Sequence, residues 1–241
     1  MLELYQFEHS PFCLKVRLGL NAKKLSFRII EIKPGIGQVD VFRLSGQRKV
    51  PILKDRENVI SDSTSIIEYL QSITKDPKLI PEDPKEGAIA HVLEDWADTT
   101  LSTAVRLELI KAVAVDPSLR EALLPKDSTK SLKSIIKSLP FEFINGISEV
   151  INPAESQNLI KSLEKLSNLI SPDKYLVGDS ISLADIAVSA QLSFLRFPYS
   201  SGSSLYNKGC PGFCDNPELE KLFQWRDEIE EKCLSNTQAL L

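Results

Sequence analysis

The N-terminal stretch changes from a strand pattern to a helix pattern at one sharp turn. Apolar and polar residues alternate from Leu2 to Phe7, which is the period of a half-buried strand. Apolar residues then recur with helical spacing from Leu14 to Leu20. Between them, Ser10 stands where an N-cap belongs, and Pro11 takes the first helical position, where its missing N–H costs nothing. A helix start at the end of a strand gathers free N–H groups, so this turn predicts an anion site.

Three more strands and two more helices are predicted in the N-terminal region. A second strand spans Leu25–Ile32, and the helix that joins it to the first strand makes the pair a parallel βαβ unit. A short helix is predicted over 39–44, and residues 50–54 and 59–60 form a hairpin. The last helix follows the polar cap at 61–64 and ends near Thr74. The predicted order is therefore β-α-β, α, then β-β-α.

A proline-rich, charged segment divides the chain. Residues 76–84 contain three prolines and read as a linker, which predicts an N-terminal domain over 1–75 and a second domain over 85–241. The second domain shows helical patterns and no convincing strand, so it is predicted to be all-α. Ser182 and Asp185 have the spacing of a capping box at the start of one of its helices. The predicted helices are 88–115, one or two weak ones in 117–140, 141–151, 156–170, 182 to about 197, and 217–232.

Composition narrows the classes of function. The chain has 241 residues and is 42% hydrophobic, which is enough for one large or two small cores. Its net charge of -4 argues against a nucleic-acid partner. No apolar run is long enough for a bilayer and no leader pattern is seen, so we expect a cytoplasmic protein without a membrane partner. Four cysteines are too few for a disulfide scaffold.

Four stretches, in this order and spacing, resemble the cytosolic glutathione transferases. They look like the family's active-site turn, its cis-proline segment, its γ-glutamyl site and the capped core helix of its second domain. The stretches are Ser10–Arg17, Gly46–Leu53, Ser61–Leu70 and Gly178–Ala187. The resemblance implies a thioredoxin-like N-terminal domain that binds glutathione and an all-α C-terminal domain that forms most of the pocket for a hydrophobic electrophile. It also implies a homodimer, and glutathione as co-substrate with no other cofactor.

The turn at Ser10 to Cys13 offers two groups for the glutathione sulfur. A transferase must form the thiolate, and lowering a thiol pKa of about 8.5 by two units stabilises the anion by about 2.7 kcal/mol. The resemblance gives Ser10 the role of hydrogen-bond donor to that sulfur, whereas the turn alone explains Ser10 as an N-cap. Ser-Pro-Phe-Cys also resembles a glutaredoxin Cys-Pro-x-Cys motif without its first cysteine. By that analogy Cys13 faces inward and is inert; if exposed, it would be reactive.

The remaining glutathione contacts are implied by the resemblance. Pro51 is expected to follow a cis bond that turns the backbone of Val50 toward the peptide, as in strand addition; an ordinary trans strand entrance is the alternative. Ser63 would bind the γ-glutamyl carboxylate and Asp62 its ammonium group, although both also suit a plain helix cap. Lys49 is one candidate cation for binding the glycyl carboxylate. Lys33 is the other available cation, and Phe12 lies within the first motif.

Other chemistry-bearing residues give weaker signals. His9 and His91 are too few and too far apart for a metal site. Cys210 and Cys214 form a lone C-x-x-x-C in a glycine-rich loop, for which a plain loop is favoured over a labile disulfide or a metal site. Three further side chains, more readily explained as core or interface residues, are alternatives for the cleft: Trp96, Arg106 and Tyr199.

Three functions remain open at this point. The first is a glutathione transferase that uses Ser10 to activate the thiol for attack on an electrophilic small molecule. The second is a glutathione-dependent thiol-disulfide oxidoreductase that uses Cys13. The third is a non-catalytic binding protein with the same fold, because fold alone does not fix function.

Overall fold

A computed structural model describes residues 1–33, 37–124, 128–137, 153–170 and 174–235 of the chain. The predicted helix over 141–151 lies outside these residues. Within them, the fold has a four-stranded sheet near the N-terminus and is otherwise helical. The predicted fold class, thioredoxin-like followed by all-α, is confirmed. No helix in this described part is long and apolar enough to cross a membrane.

The sheet is mixed and has the strand order β2-β1-β3-β4. Its strands are β1 (Leu2–Gln6), β2 (Phe27–Glu31), β3 (Ile52–Asp55) and β4 (Asn58–Ser61). β1 and β2 are parallel, while β3 is antiparallel to both β1 and β4. The predicted βαβ unit and the predicted hairpin are therefore confirmed.

Ten α-helices are described. They are α1 (Pro11–Ala22), α2 (Gly37–Ser45), α3 (Ser63–Ile73), α4 (Pro84–Trp96), α5 (Ser102–Val115), α6 (Pro117–Ala122), α7 (Lys130–Lys137), α8 (Pro153–Ile170), α9 (Leu183–Leu192) and α10 (Glu220–Leu234). Short 3₁₀ turns occur at Tyr199–Ser201 and Pro217–Leu219. A π-helical turn at Ala97–Leu101 separates α4 from α5 within the predicted long helix. The hydroxyls of Ser102 and Thr103 donate to carbonyls of this turn.

α9 is shorter than predicted. The pattern predicts a helix to about Phe197, but α9 ends at Leu192 because the chain beyond it pairs with residues 207–210. The N–H of Phe197 donates to the carbonyl of Lys208 at 2.7 Å. A Cβ at Gly209 would lie 2.0 Å from the carbonyl oxygen of Leu195, so only glycine allows this close approach.

The sheet is covered by α1 and α3 on one side and supports an apolar cluster with α2. α1 and α3 pack closely at Gly19, where a Cβ would lie 2.2 Å from Cδ1 of Ile67. The cluster is centred on Ile32, Val41 and Ile52, and partly buried side chains including Phe7 and Val50 pack against it. The segments before β3 and after β1 therefore share one core.

Two compact units contain the described residues. The first, the sheet unit, comprises residues 1–33, 37–95, 174–190 and 228–235. The second, the helical unit, comprises the described residues between 96 and 170 together with 191–227. Because the units interleave along the chain, the division into 1–75, a linker over 76–84 and 85–241 stays a prediction.

Candidate functional site

The register of the sheet brings three predicted site segments to one end. Tyr5 pairs with Ile52, and Ile52 pairs with Ser61. Ile52 opens β3 and Ser61 closes β4, while Tyr5 lies one residue before the end of β1. The turn after β1, the Val50–Pro51 bond before β3 and Asp62 after β4 therefore all lie at the same end of the sheet.

Ser10 is the N-cap of α1. Its backbone is extended, with φ -72° and ψ 124°, and its Oγ accepts a long 3.4 Å hydrogen bond from the N–H of Cys13. The N–H of Ser10 donates to the carbonyl of Phe7 at 3.1 Å, which closes the turn. Since the hydroxyl accepts in this cap, its own hydrogen can still be donated to another group. The cap and the proposed role at sulfur are compatible.

Cys13 lies inside the sheet unit. Its side chain is 0% exposed. Burial raises the pKa of the Cys13 thiol, against weaker opposing effects of a hydrogen bond from Phe7, the Ser10 side chain and the charge of Arg17. The inward orientation expected by analogy is confirmed. A thiol without solvent access and with a raised pKa is a poor nucleophile, which argues against the oxidoreductase hypothesis.

The Val50–Pro51 peptide bond is cis, as the resemblance implies. Pro51 is buried and Val50 is partly buried against the apolar cluster. A second cis bond, Asp76–Pro77, was not predicted. It lies in the segment held by Lys23, whose Nζ donates to the carbonyls of Thr74 and Pro77 at 2.7 and 2.9 Å.

Asp62 caps α3 in a strained backbone conformation. Its φ of 81° lies in the left-handed region, which is unfavourable for a residue with a Cβ. Its Oδ1 accepts from the N–H groups of Thr64 and Ser65, both at 3.0 Å. Asp62 is exposed, and Ser63 beside it is buried at the first position of α3. Strained residues of this kind cluster at ligand sites, so the outlier supports a binding role at this helix start.

The three remaining predicted contacts differ in exposure. Phe12 is partly buried on α1, whereas Lys33 and Lys49 are exposed. Lys33 follows β2, which runs parallel to β1, and Lys49 comes directly before Val50. Both lysines therefore belong to segments at the same end of the sheet as Ser10.

A buried polar trio links α1, α3 and α4 and was missed in the sequence. The Nζ of Lys15, which is 0% exposed, donates to Oγ1 of Thr64 at 3.1 Å and also to Glu94. Thr64 donates to Glu94 as well. The trio fixes the start of α3 against α1. The sequence signal is Glu94 itself, which lies four residues after the buried Ala90 on the apolar face of α4.

A ring of hydrogen bonds lies behind the Ser10 turn and was also missed. Arg17 donates through Nη1 to Oε1 of Gln6 at 2.7 Å and through Nη2 to the carbonyl of Glu8 at 3.0 Å. Nε2 of Gln6 donates to Oε2 of Glu31 at 3.0 Å, and the N–H of Glu8 donates to Oε1 of Glu31 at 2.6 Å. The signal in the sequence is weak, because exposed and buried charges look alike on a short helix.

The weaker sequence signals fall on several different segments of the chain. Cys210 and Cys214 are free thiols. Cys210 is buried and its S–H donates to the carbonyl of Phe194 at 3.3 Å, and burial raises the pKa of its thiol. Tyr199 is 80% exposed and contacts the ring of Tyr206, so it is not a core residue. His9, His91 and Trp96 are partly buried, and Arg106 is exposed.

Comparison with known families agrees with this geometry. Residues 4–78 match the family described as glutathione S-transferase, N-terminal domain. This region is therefore similar to a glutathione S-transferase N-terminal domain. The match includes every segment at the site end of the sheet, and the predicted resemblance to the cytosolic glutathione transferases is confirmed.

Several proteins are similar to this one over most of the chain. Maleylacetoacetate isomerase of Rattus norvegicus is 25% identical over 195 residues, covering 79% of this chain and 76% of its own. Protein LigF of Sphingobium sp. is 26% identical over 248 residues, covering 92% and 93%. The crystal structure of a glutathione S-transferase from Rhodospirillum rubrum has a TM-score of 0.67 and 22% identity, covering 100% of this chain and 94% of that one, which shows a shared fold.

Proposed function

We propose that the protein binds glutathione at the site end of the sheet and activates its thiol for attack on a hydrophobic electrophile. The observation that carries this proposal is the register that gathers Ser10, the cis Val50–Pro51 bond and Asp62 at one end. Each segment offers a different kind of group: a hydroxyl at a helix start, an edge backbone, and a carboxylate beside a second helix start. A thiol tripeptide with an ammonium group and two carboxylates needs such a set.

The peptide would be held mainly by backbone and by charge. In the proposal the N–H and C=O of Val50 pair with the cysteinyl residue, in the manner of strand addition. The start of α3 at Ser63 binds the γ-glutamyl carboxylate, because helix N-termini favour anions. Asp62 pairs with the ammonium group, and Lys49 or Lys33 meets the glycyl carboxylate. Phe12 contributes apolar contact beside the sulfur.

Ser10 would act on the sulfur as a hydrogen-bond donor. The hydroxyl hydrogen is compatible with the cap, and the start of α1 adds the positive end of a helix dipole at the same place. Together these groups favour the thiolate over the thiol. No metal or organic cofactor is needed for this step, since glutathione itself supplies the nucleophile.

Two kinds of similar protein suggest two reactions for the activated thiol, conjugation and isomerisation. Maleylacetoacetate isomerase and glutathione S-transferases are among the proteins similar to this chain. A glutathione thiolate can add to a carbon and either remain there, which is conjugation, or leave again after isomerisation. Both outcomes use the same activated sulfur, so the proposal for Ser10 holds for either.

Retention on immobilised glutathione tests the proposal first. We expect retention of the wild-type protein and elution by free glutathione; no retention would contradict glutathione binding. Conjugation and cis–trans isomerisation assays then use Ser10→Ala and Cys13→Ala. We expect Ser10→Ala to lose activity and Cys13→Ala to keep it. The opposite result would favour the oxidoreductase hypothesis, and retention without either activity would favour a non-catalytic binding protein.

A further inference from the structure

The hydrogen-bond ring next to the Ser10 turn binds both main-chain polar groups of Glu8. The N–H of Glu8 is bound by the carboxylate of Glu31, and its carbonyl is bound by the guanidinium of Arg17. The side chain of Gln6 joins these two groups and closes the ring. Gln6 is 3% exposed, so the connecting amide is shielded from water. The peptide planes on either side of Glu8 are therefore fixed.

Fixing Glu8 orients Ser10, which follows two residues later. The N–H of Ser10 donates to the carbonyl of Phe7, so the turn from Phe7 to Ser10 is a single closed unit. A rotation of the peptide bonds beside Glu8 would move this unit and the hydroxyl that it carries. Hydroxyl donation to a thiolate depends on distance and angle, so small displacements at this point weaken it.

Attraction between the Arg17 guanidinium and nearby carboxylates favours the intact ring of hydrogen bonds. Three carboxylates interact electrostatically with Arg17, on Glu8, Glu31 and Glu230. Burial lowers the pKa of the Arg17 guanidinium and these carboxylates oppose that change. Arginine stays protonated in proteins, so the guanidinium keeps both donated bonds across the working pH range.

We infer that Arg17 is a positioning residue for the thiol-activation step, acting through Gln6, Glu31 and the Glu8 peptide on the hydroxyl of Ser10. The inference rests on the proposed function of Ser10 in glutathione activation. It assigns Arg17 no contact with glutathione. Its specific prediction is that opening the ring weakens stabilisation of the thiolate without weakening binding of the rest of the peptide.

Glu31→Gln opens the ring with little change in shape. The new amide can still accept from the N–H of Glu8, but its NH₂ group then faces the NH₂ of Gln6, so one bond is lost. Adding Gln6→Glu restores a donor–acceptor match at every bond, because the residue 31 amide now donates to the residue 6 carboxylate, which still accepts from Arg17. Arg28→Gln is the matched control: Arg28 lies on the same strand as Glu31, forms an exposed ion pair with Glu3 and does not belong to the ring.

The experiment measures kcat, the pKa of bound glutathione from thiolate absorbance, and the Kd of S-methylglutathione, which lacks the thiol. We expect Glu31→Gln to raise the bound thiol pKa and to lower kcat about tenfold, which is less than the roughly hundredfold loss that a misplacement of about 1 Å can cause. The Kd of S-methylglutathione stays within about twofold, and Gln6→Glu/Glu31→Gln recovers kcat. Arg17→Lys, which cannot present a planar fork, shows the same pattern as Glu31→Gln.

Either of two results would overturn the inference. One is an unchanged thiol pKa and kcat in both Glu31→Gln and Arg17→Lys. The other is equal loss in the single and the paired variant. Amide hydrogen exchange of residues 8–10 separates this from failure of the proposed function, since it needs no glutathione. If wild-type protein binds no glutathione, the proposed function fails, whereas unchanged exchange in Glu31→Gln refutes the ring's hold on the turn.

Discussion

In the sheet unit, the guanidinium of Arg17 binds one side-chain amide and one carbonyl of the turn before Ser10. In the helical unit, the guanidinium of Arg226 donates to the carbonyls of Leu192 and Arg196, just where α9 ends. Each arginine donates from its guanidinium to a backbone carbonyl outside the regular helices and strands: Arg17 to Glu8 and Arg226 to Arg196. The chemistry is the same, but the backbone held differs.

The difference lies in what surrounds each arginine. Arg226 is 0% exposed and lies beside the ring of Phe223, as does Arg196, whose partner is Glu220. These groups complete a helix end and the packing around it. Arg17 is only partly buried and faces a turn whose hydroxyl can still donate. We therefore expect Arg226, which binds the backbone after the end of α9, to contribute mainly to the stability of the fold. We expect Arg17, which binds the turn before Ser10, to contribute mainly to activity.

Replacing Arg226 should give the largest loss of stability. In Arg226→Met, the buried carbonyl of Arg196 loses its charged donor, and an unsatisfied buried group costs about 1–3 kcal/mol, so we expect the free energy of unfolding to fall by roughly 2 kcal/mol. Urea unfolding measures this change, with Lys221→Met on the exposed face of α10 as control. The pKa of bound glutathione should not move. A changed pKa of bound glutathione in Arg226→Met would contradict the assignment of Arg226 to stability and of Arg17 to activity.

Ser10→Ala should give the largest loss of activity. If the hydroxyl and the helix start lower the thiol pKa by two units, removing the donor costs up to about 2.7 kcal/mol of thiolate stabilisation. At pH 7 the thiolate fraction, and with it kcat/KM, should then fall by up to roughly 25-fold. Loss of the cap lowers the free energy of unfolding by about 1 kcal/mol. The conjugation rate as a function of pH separates these effects, because only the catalytic effect moves the thiol pKa.

Two variants serve as controls for Ser10→Ala. Ser10→Thr keeps a hydroxyl and a cap, so it should retain most of the activity. Ser26→Ala removes an exposed serine before β2 and should change neither rate nor stability measurably. A Ser10→Ala protein with wild-type kcat/KM would leave Ser10 as a cap alone.

The sequence predicts the elements better than their connections. Periodicity identifies β1, α1 and the hairpin because each depends on its own residues. It overextends α9, because the bridge between Arg196 and Gly209 depends on a segment more than ten residues away in the chain. A helix can therefore end where the backbone forms hydrogen bonds with a distant segment, even though the apolar side chains continue at helical spacing.

The candidate site divides in the same way. Ser10 and Asp62 were predicted as helix caps, which leave local marks in a sequence, whereas the cis bond before Pro51 and the glutathione contacts were implied only by the resemblance to a family. The trio around Lys15 and the ring around Arg17 were missed, because their bonds join residues from 9 to 79 positions apart. Alternation and helical spacing report burial of apolar groups, and a buried lysine on α1 looks like any solvated charge until its partners are known.

Substitutions of Asp62 should have a smaller effect, which changes the affinity for glutathione but not the stability of the fold. Asp62→Gly relieves the left-handed φ of 81° and loses the cap, and since glycine costs only a few tenths of a kcal/mol at an N-cap, stability should stay level or rise. Loss of one charged hydrogen bond should raise the Kd for glutathione about tenfold. Calorimetric titration measures the Kd. Asp62→Asn, which keeps the cap but not the charge, should show most of the same loss; unchanged binding in both variants would leave Asp62 a structural residue.

The pair between Arg196 and Glu220 should give the smallest effect, and one that depends on pH. Arg196 donates to Glu220 and lowers the pKa of that carboxyl in the folded protein. A carboxyl with a lowered folded pKa stabilises the fold above its ordinary pKa, and this contribution is lost as pH falls through the lowered value. Because the Glu220 side chain is 48% exposed, we expect less than about 1 kcal/mol between wild type and Glu220→Gln near neutral pH. Urea unfolding from neutral to acidic pH should show this difference vanish, with Glu218→Gln as control. A difference that persists in acid would mean that Glu220 acts through packing and not through its charge.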